Sequence, residues 1–137
     1  EYGIAGYVLS TDDTAALAAW AEDRWWPTLR KRYPLTREDT LQGRVIRLIH
    51  RPDRPSPDVL AEYPAHFHID LLERARGAGL GRALLEQLFE ELRVREVPGV
   101  HMGVEDRNTN AVGFYEHLGF RTLEHEPWGV TMGMPLR

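Results

Sequence analysis

The amino-acid sequence predicts a mixed α/β (α+β) fold in which a central sheet is flanked by helices. Three features of the apolar pattern lead to this prediction. Apolar residues recur at every second position between Tyr63 and Leu72, which is typical of a strand. After the glycine-rich turn Arg76–Gly81, the apolar residues recur with the period of an amphipathic helix. Two short runs at the end of the chain, 120–124 and 130–134, are typical of an antiparallel pair of strands.

The N-terminal part is predicted to begin with a strand and a long helix. Ile4–Leu9 is a short apolar run, and Ser10–Asp13 supplies side chains that cap helix N-termini. An alanine-rich helix is expected from there to about Arg32, and Pro27 inside it predicts a kink or a break. The helix carries three tryptophans, which either pack it against the sheet or line a ligand pocket. They are Trp20, Trp25 and Trp26.

A second helix is predicted over 37–50, because Thr36–Asp39 has the composition of a capping box. The proline-rich segment Arg51–Pro57 is then expected to form a loop.

Behind the central helix, Val100–Val104 is predicted to be a strand and Ala111–Leu118 a short helix. Gly119 is expected to close that helix as its C′ residue. Since no repeat and no second set of elements is visible, the chain 1–137 is predicted to be one domain.

Composition narrows the classes of function. The chain has 137 residues, a formal net charge of −4 and no cysteine. The lack of cysteine excludes disulfides, thiolate metal sites and a cysteine nucleophile. The negative charge disfavours nucleic-acid binding, and no apolar run approaches the roughly 20 residues of a membrane span. We therefore expect a cytoplasmic protein without nucleic-acid or membrane partners.

The segment from Tyr63 to Arg95 combines a strand, a glycine-rich turn and a helix, an arrangement that presents free backbone N–H groups to an anion. Glycines also let the backbone approach a ligand closely. Gly77, Gly79 and Gly81 are spaced G-x-G-x-G, which matches neither the dinucleotide fingerprint nor the phosphate loop of nucleotide triphosphatases. A tight strand-to-helix turn without a ligand is the alternative interpretation.

Two motifs carry a family resemblance. Arg76-x-x-Gly79-x-Gly81 opens the central helix, and Asn108-x-x-Ala111-x-x-Phe114-Tyr115-x-x-x-Gly119-Phe120 follows a strand. Over roughly Tyr63 to Met134, this pair resembles the GNAT (GCN5-related N-acetyltransferase) superfamily, which binds acetyl-coenzyme A. Tyr63–His66 and Gly99–Gly103 are similar, more narrowly, to the acetyltransferase-like C-terminal domain of O-GlcNAcases and its bacterial relatives. Some of those domains are thought to have lost cofactor binding.

The resemblance implies a set of cofactor contacts. The N–H groups of 76–82 would cradle the pyrophosphate, and the strand edge near Ile69–Leu72 would pair with the pantetheine arm. The Leu71 N–H would polarise the acetyl carbonyl, and Asn108 would fix its turn and contact the cofactor arm. The expected cofactor-binding residues are Ile69, Leu71, Leu72, Arg76, Gly77, Ala78, Gly79, Leu80, Gly81, Arg82, Asn108, Ala111 and Tyr115.

The resemblance also implies a catalytic acid. Tyr115 would protonate the departing coenzyme A thiolate, since a phenol with a pKa near ~10 and a thiol with a pKa near ~8.5 exchange a proton readily. The alternative for Tyr115 is a core aromatic whose hydroxyl is satisfied within the fold.

The catalytic base cannot be carried over from the family. Many members place a glutamate five residues before the motif asparagine, where this chain has Gly103. We take His68 and Asp70, on the strand that leads to the glycine-rich turn, as the candidates. Further options are His66, His101 and Glu105. His66-x-His68 also permits a metal site, but without further ligands at a fixed spacing we expect none.

The front of the chain departs from the family. The family normally supplies a strand, two helices and a second strand before the strand that Ile4–Leu9 resembles. The helices over 13–32 and 37–50 then correspond to an insertion, and the domain is predicted to lack its first strand–helix–helix–strand segment, which is cleaved, disordered or swapped. Alternatively, Ile4–Leu9 is the first strand and the family's two helices follow it directly.

The sequence thus predicts an acetyl-coenzyme A-dependent N-acetyltransferase that acts on an amine of a small molecule or a protein. Direct attack is expected, because no cysteine or recognisable serine nucleophile is present. Candidates for the acceptor side are Trp25, Trp26, Tyr33, His68 and Trp128. The alternative is a non-catalytic pseudo-acetyltransferase module that binds coenzyme A or a protein partner. A homodimer through sheet edges or the tryptophan-rich helix is a further hypothesis.

Overall fold

The computed structural model describes residues 3–137, which divide into two compact units. One unit combines the N-terminal residues up to Thr14 with Pro57–Arg137, and the other is Ala15–Ser56. The prediction of one domain that lacks its first segment stays a prediction. None of the helices within residues 3–137 is both long and apolar enough to cross a membrane.

A five-stranded mixed sheet forms the centre of the first unit. Its strands are β1 (Gly6–Thr11), β2 (Ala65–Leu71), β3 (Gly99–Val104), β4 (Arg121–Glu126) and β5 (Gly129–Pro135). They lie in the order β1-β2-β3-β5-β4, with β2 and β3 parallel and every other neighbouring pair antiparallel. The predicted mixed fold and its C-terminal strand pair are therefore confirmed.

The second unit is helical. α1 (Thr14–Trp20) continues through a π-helical turn at Ala21–Trp25 into α2 (Trp26–Arg32), and α3 (Leu41–His50) follows. The predicted interruption near Pro27 is present as that wider turn, because proline has no N–H to continue the α-helical bonding. Pro27 itself lies in the first turn of α2.

The start of α3 corrects the predicted one. Thr40 is the N-cap, and its Oγ1 accepts a hydrogen bond of 3.0 Å from the Gly43 N–H. Thr36, the expected cap, instead accepts a hydrogen bond of 3.2 Å from the Glu38 N–H, which forms a local turn. The helix consequently begins at Leu41 rather than near Arg37.

Among the described residues, the first unit has a 3₁₀ turn at Glu73–Ala75 and three further α-helices, α4 (Pro57–Glu62), α5 (Leu80–Val94) and α6 (Thr109–Leu118). α4 corrects the predicted proline-rich loop, which ends at Ser56 because Pro57 starts a helix, where its fixed φ fits. α5 and α6 were predicted, and Gly119 closes α6 with φ +104°. β1 starts two residues later than predicted and keeps pairing to Thr11, so Ser10 and Thr11 belong to the strand.

One face of the sheet packs on α5 and α6. α5 buries Leu85, Phe89 and Leu92, which follow the predicted apolar stripe. Phe67 of β2 meets the rings of Phe89 and Tyr115, each 6.1 Å away between ring centroids. This core holds the ends of β2, α5 and α6 in fixed positions, and those ends build the site.

Candidate functional site

The parallel strands β2 and β3 separate towards their carboxyl ends. Their pairing covers Ala65 with Val100 and His66 with His101, although both strands continue further. From Phe67 onwards, β2 pairs with β1 alone among the described residues. The opening lies at the carboxyl edge of a parallel pair, where α/β proteins commonly bind ligands.

A groove of about 610 Å³ occupies this opening. It is bounded by the end of β2, the glycine-rich turn, and the first turns of α5 and α6. Its lining residues are Ile69, Asp70, Leu71, Ala75, Arg76, Gly77, Gly79, Gly81, Arg82, Asn108, Asn110, Ala111, Phe114 and Tyr115. Most of the residues predicted from the sequence therefore come together in one place.

The free edge of β2 follows from its register with β1. The Leu72 N–H donates to the Ala5 carbonyl at 2.8 Å, so the hydrogen-bonded positions of this ladder continue through Asp70 and His68. In an antiparallel pair the intervening residues point their N–H and C=O groups the other way. The backbone groups of Ile69 and Leu71 accordingly face the opening between β2 and β3.

The glycine-rich turn has a geometry that only glycine adopts without strain. Gly77 and Gly79 both have φ +78°, and a Cβ built on either would meet nothing within 4 Å. Another L-residue in this left-handed conformation costs about 1–2 kcal/mol. The turn therefore leaves open space beside its backbone, as a ligand cradle requires.

The N-terminus of α5 has no side-chain cap, since its N-cap residue is Gly79. The first intrahelical bond runs from the Ala83 N–H to the Gly79 carbonyl at 3.0 Å. The N–H groups of Leu80, Gly81 and Arg82 thus have no partner inside the helix, and the helix dipole adds positive charge there. This end of the groove suits an anion.

Two arginines add to that charge. Arg76 donates from Nε to the Leu71 carbonyl at 3.2 Å, which ties the turn to the end of β2. Arg82 pairs with Glu86 at 2.7 Å along α5, and both side chains are more than half exposed.

The N-terminus of α6 is capped by Asn108. Its Oδ1 accepts a hydrogen bond of 3.2 Å from the Ala111 N–H, which fixes the turn that borders the groove. Tyr115, two turns along α6, is only 7% exposed and packs against Phe67 and Phe120. Burial raises the pKa of the Tyr115 phenol, so the phenol is protonated at neutral pH.

Asp70 is the one candidate base among the described residues that lines the groove. His68 is exposed, and its ring lies 6.1 Å from that of Tyr7 on the neighbouring strand. Glu105 is exposed in the turn after β3, outside the lining.

His66 and His101 lie next to each other below the opening, with ring centroids 5.6 Å apart. His66 Nδ1 lies 2.7 Å from Thr14 Oγ1, and His101 Nδ1 donates to the Tyr63 carbonyl at 2.6 Å. Burial lowers the pKa of both histidines, and His101 lowers that of His66 further. Within residues 3–137, no group of three or more His, Asp or Glu side chains is arranged to hold a metal ion.

Gly103 is covered by an indole ring. A Cβ at Gly103 would lie 2.6 Å from Cη2 of Trp128, which stands in the turn between β4 and β5. The space that a side chain at position 103 would enter is therefore filled by Trp128.

Some expected residues do not line the groove. Leu72 donates its N–H to Ala5 instead, and Ala78 and Leu80 lie outside the lining. Sequence reasoning missed Ala75, Asn110 and Phe114 as lining residues. Phe114 belongs to the motif that begins at Asn108 and precedes Tyr115 directly. This position next to an expected site residue could have indicated that Phe114 lines the groove.

Comparisons with known proteins agree on one family. The model of the acetyltransferase (GNAT) family matches residues 21–120. A mycothiol acetyltransferase of Beutenbergia cavernae is 42% identical over 57 residues, which cover 41% of this chain and 19% of that protein. A [ribosomal protein bS18]-alanine N-acetyltransferase of Salmonella typhimurium is 30% identical over 104 residues, which cover 74% of this chain and 64% of that enzyme.

A solved structure, described as that of SsHAT, superposes with a TM-score of 0.86 at 38% identity. The superposition covers 97% of this chain and 67% of the other. The chain spans less than two thirds of the length of the curated relatives that it matches.

Proposed function

Because the chain belongs to the acetyltransferase (GNAT) family, we propose that it is an acetyl-coenzyme A-dependent N-acetyltransferase acting on an amine of a small molecule or a protein. The observation that carries the proposal is the groove, where the uncapped N-terminus of α5, the free edge of β2 and Tyr115 converge. Bound acetyl-coenzyme A supplies an activated acetyl thioester.

The α5 end of the groove holds the anionic part of the cofactor. The N–H groups of Gly81 and Arg82, which have no partner inside the helix, donate to phosphate oxygens, and the space beside Gly77 and Gly79 admits those oxygens. Arg76 and Arg82 line the same end and add positive charge.

The free edge of β2 orients the extended arm of the cofactor. Ile69 and Leu71 offer backbone donors and acceptors towards the opening, as an edge strand offers them to an added strand. The Leu71 N–H is the donor for the oxyanion that develops on the acetyl carbonyl. Arg76 donates to the Leu71 carbonyl, in the peptide group after this N–H, and so ties the end of β2 to the glycine-rich turn.

Tyr115 acts as the acid and Asp70 as the first candidate for the base. The amine forms its bond to the acetyl carbon, the carbon–sulfur bond breaks, and the Tyr115 phenol gives its proton to the leaving sulfur. Asp70 lines the groove and accepts the proton that the attacking amine loses, directly or through water. His68 remains the second candidate, as an exposed side chain on the same face of β2.

One observation favours the alternative function. Trp128 fills the space over Gly103, so no carboxylate reaches the groove from that position of β3. A non-catalytic module that binds coenzyme A needs no base there. The narrower relation to the acetyltransferase-like domain of O-GlcNAcases also remains a proposal, and it rests on the resemblance of Tyr63–His66 and Gly99–Gly103 alone.

The test is calorimetric titration of acetyl-coenzyme A into the wild type, Gly79→Glu and Gly113→Glu. Gly79→Glu places an anion where the phosphates are expected, whereas Gly113→Glu adds the same charge at an open position of α6 outside the groove lining. We expect binding by the wild type and the Gly113 variant, and at least a tenfold loss, on the order of 1.4 kcal/mol, in the Gly79 variant. A folded wild type that does not bind acetyl-coenzyme A contradicts the proposal.

Catalysis is tested separately by screening amines for release of the coenzyme A thiol. Turnover with an amine supports the enzyme, and binding without turnover for any amine supports the module.

A further inference from the structure

A second cavity, of about 640 Å³, lies entirely in the helical unit. It is formed by the segment that precedes α3, by one side of α3 and by the residue that ends it. We refer to it as the arginine cleft and define it by Leu35, Arg37, Arg44, Arg47, Leu48 and Arg51. None of these residues lines the groove between β2 and the α5 turn.

The guanidinium groups of the cleft follow the helix. Arg44 and Arg47 are three positions apart and stand on one side of α3, and Arg51 follows as the C-cap residue of that helix. Arg47 is held in place by a hydrogen bond of 2.9 Å from Nη1 to the Glu38 carbonyl. The result is a row of cations along a concave surface.

The arginines of the cleft carry more positive charge than the nearby carboxylates neutralise. Asp39 contacts both Arg44 (3.3 Å) and Arg47 (4.0 Å), and its side chain is 83% exposed. Arg37 and Arg51 have no ion-pair partner among the residues that the structure describes. Two of the four guanidinium groups are therefore available to an external carboxylate.

The helical unit as a whole also carries an excess of positive charge. Residues 15–56 contain nine arginine or lysine side chains and five carboxylates, a net charge of +4, in a chain whose net charge is −4. The positive potential is thus concentrated on one unit and favours association with a negatively charged partner.

The cleft also offers apolar contact. Leu35 and Leu48 are 59% and 47% exposed and belong to the same lining. A small inorganic anion leaves these side chains in water, and the phosphate backbone of a nucleic acid offers no apolar side chain to cover them. A peptide that alternates carboxylates with an apolar side chain covers both kinds of surface.

We propose that the arginine cleft binds an acidic peptide segment of a partner protein. The planar forks of Arg37 and Arg51 pair with its carboxylates, and an apolar side chain of the peptide lies on Leu35 and Leu48. This interaction does not depend on the acetyltransferase proposal, because it uses no residue of the cofactor groove.

The test is fluorescence anisotropy with a labelled peptide that has glutamates on both sides of a Leu-Leu pair. A peptide with glutamine in place of each glutamate is the control ligand. The protein variants are Arg37→Glu/Arg51→Glu and a matched Arg24→Glu/Lys31→Glu, which changes the net charge equally outside the cleft lining. Arg37→Gln/Arg51→Gln provides a milder substitution, and circular dichroism checks that each variant is folded.

We expect the wild type to bind the glutamate peptide in preference to the glutamine peptide, and less tightly as salt rises. Arg37→Glu/Arg51→Glu should weaken binding about tenfold or more, and the glutamine variant should weaken it in the same direction. The Arg24/Lys31 variant should stay within about twofold of the wild type.

Four results overturn the proposal. The first is a wild type that does not discriminate between the two peptides, and the second is an equal loss of binding in both glutamate variants. The third is tighter binding of single-stranded DNA through the same arginines, which assigns the cleft to nucleic acid. The fourth is self-association that Arg37→Glu/Arg51→Glu abolishes, which assigns the cleft to a second copy of the chain.

Discussion

At the scale of single residues, Tyr115 joins the hydrophobic core to the groove. Its ring lies among Phe67, Phe114 and Phe120, with centroids 5.3 to 6.1 Å apart. The same burial raises the pKa of its phenol, which therefore keeps its proton until a stronger base appears beside it. A thiolate leaving the acetyl group is such a base.

Tyr115→Phe should reduce turnover by about 10²–10⁴-fold while acetyl-coenzyme A still binds, because the substitution removes the proton but keeps the ring. The measurement is thiol release with an amine that the screen identifies, together with calorimetric titration of the cofactor. Phe114→Leu, next to it in the groove lining, serves as a control for packing. An unchanged rate in Tyr115→Phe contradicts the role as acid.

His66 and His101 make the stability depend on pH in a defined direction. Burial holds both folded-state pKa values below the ordinary value of 6.5, so the unfolded chain binds more protons as the solution becomes acidic. The stabilisation from keeping them neutral is complete above about pH 6.5 and decreases as pH falls below it. Urea unfolding at pH 7.5 and pH 5.5 should show a lower midpoint at pH 5.5.

The His66→Gln variant should show a smaller difference between the two pH values, since one of the two histidines with a lowered pKa is absent. An equal difference in the variant and the wild type means that other groups control the acid sensitivity.

At the scale of elements, we expect alanine to have opposite effects on stability at two glycines, one in a helix and one in a strand. A Cβ at Gly113 of α6 would meet nothing within 4 Å, so Gly113→Ala should stabilise the unit by about 0.5–1 kcal/mol. A Cβ at Gly99 of β3 would lie 2.6 Å from the Glu62 carbonyl, a backbone atom that cannot rotate away. Gly99→Ala should therefore destabilise it by about 1–3 kcal/mol, as measured by urea unfolding. A shift of the same sign in both variants contradicts this.

Elements with a strong local pattern were predicted well from the sequence. The apolar stripe of α5 and the glycines before it identified the helix and its start, and Gly119 marked the end of α6. α4 was missed because six residues behind a proline-rich segment show no period. The start of α3 was misplaced because Thr36 and Thr40 are both good caps, and only the contact with Gly43 decides between them.

The parts of the site that the sequence did not reveal depend on contacts between distant segments. The free strand edge near Ile69–Leu72 was expected only through the family resemblance, because the separation of β2 from β3 depends on the pairing of two strands that lie far apart in the chain. Asp70 and His68 are equivalent by alternation, and only the folded groove distinguishes them. The indole of Trp128 over Gly103 brings the turn between β4 and β5 onto β3, and no local pattern encodes this proximity.

At the scale of the whole molecule, the groove exists because the strand order brings together elements that are distant in the chain. β2, α5 and α6 contribute only their ends to the groove, and the sheet order β1-β2-β3-β5-β4 brings those ends together. A ligand that contacts three element ends binds only the folded form of this unit. Its binding energy is therefore added to the free energy of unfolding.

Acetyl-coenzyme A should accordingly raise the Tm of the protein. At about 100 times its Kd, a ligand that binds only the folded state stabilises that state by about 2.7 kcal/mol. For a chain of this size, this corresponds to an increase in Tm of roughly 10 °C, measured by differential scanning calorimetry. Gly79→Glu should show no such increase, whereas Arg37→Glu/Arg51→Glu, which leaves the groove intact, should show the full one. If the cofactor raises the Tm of Gly79→Glu as much as that of the wild type, its site lies away from the glycine-rich turn.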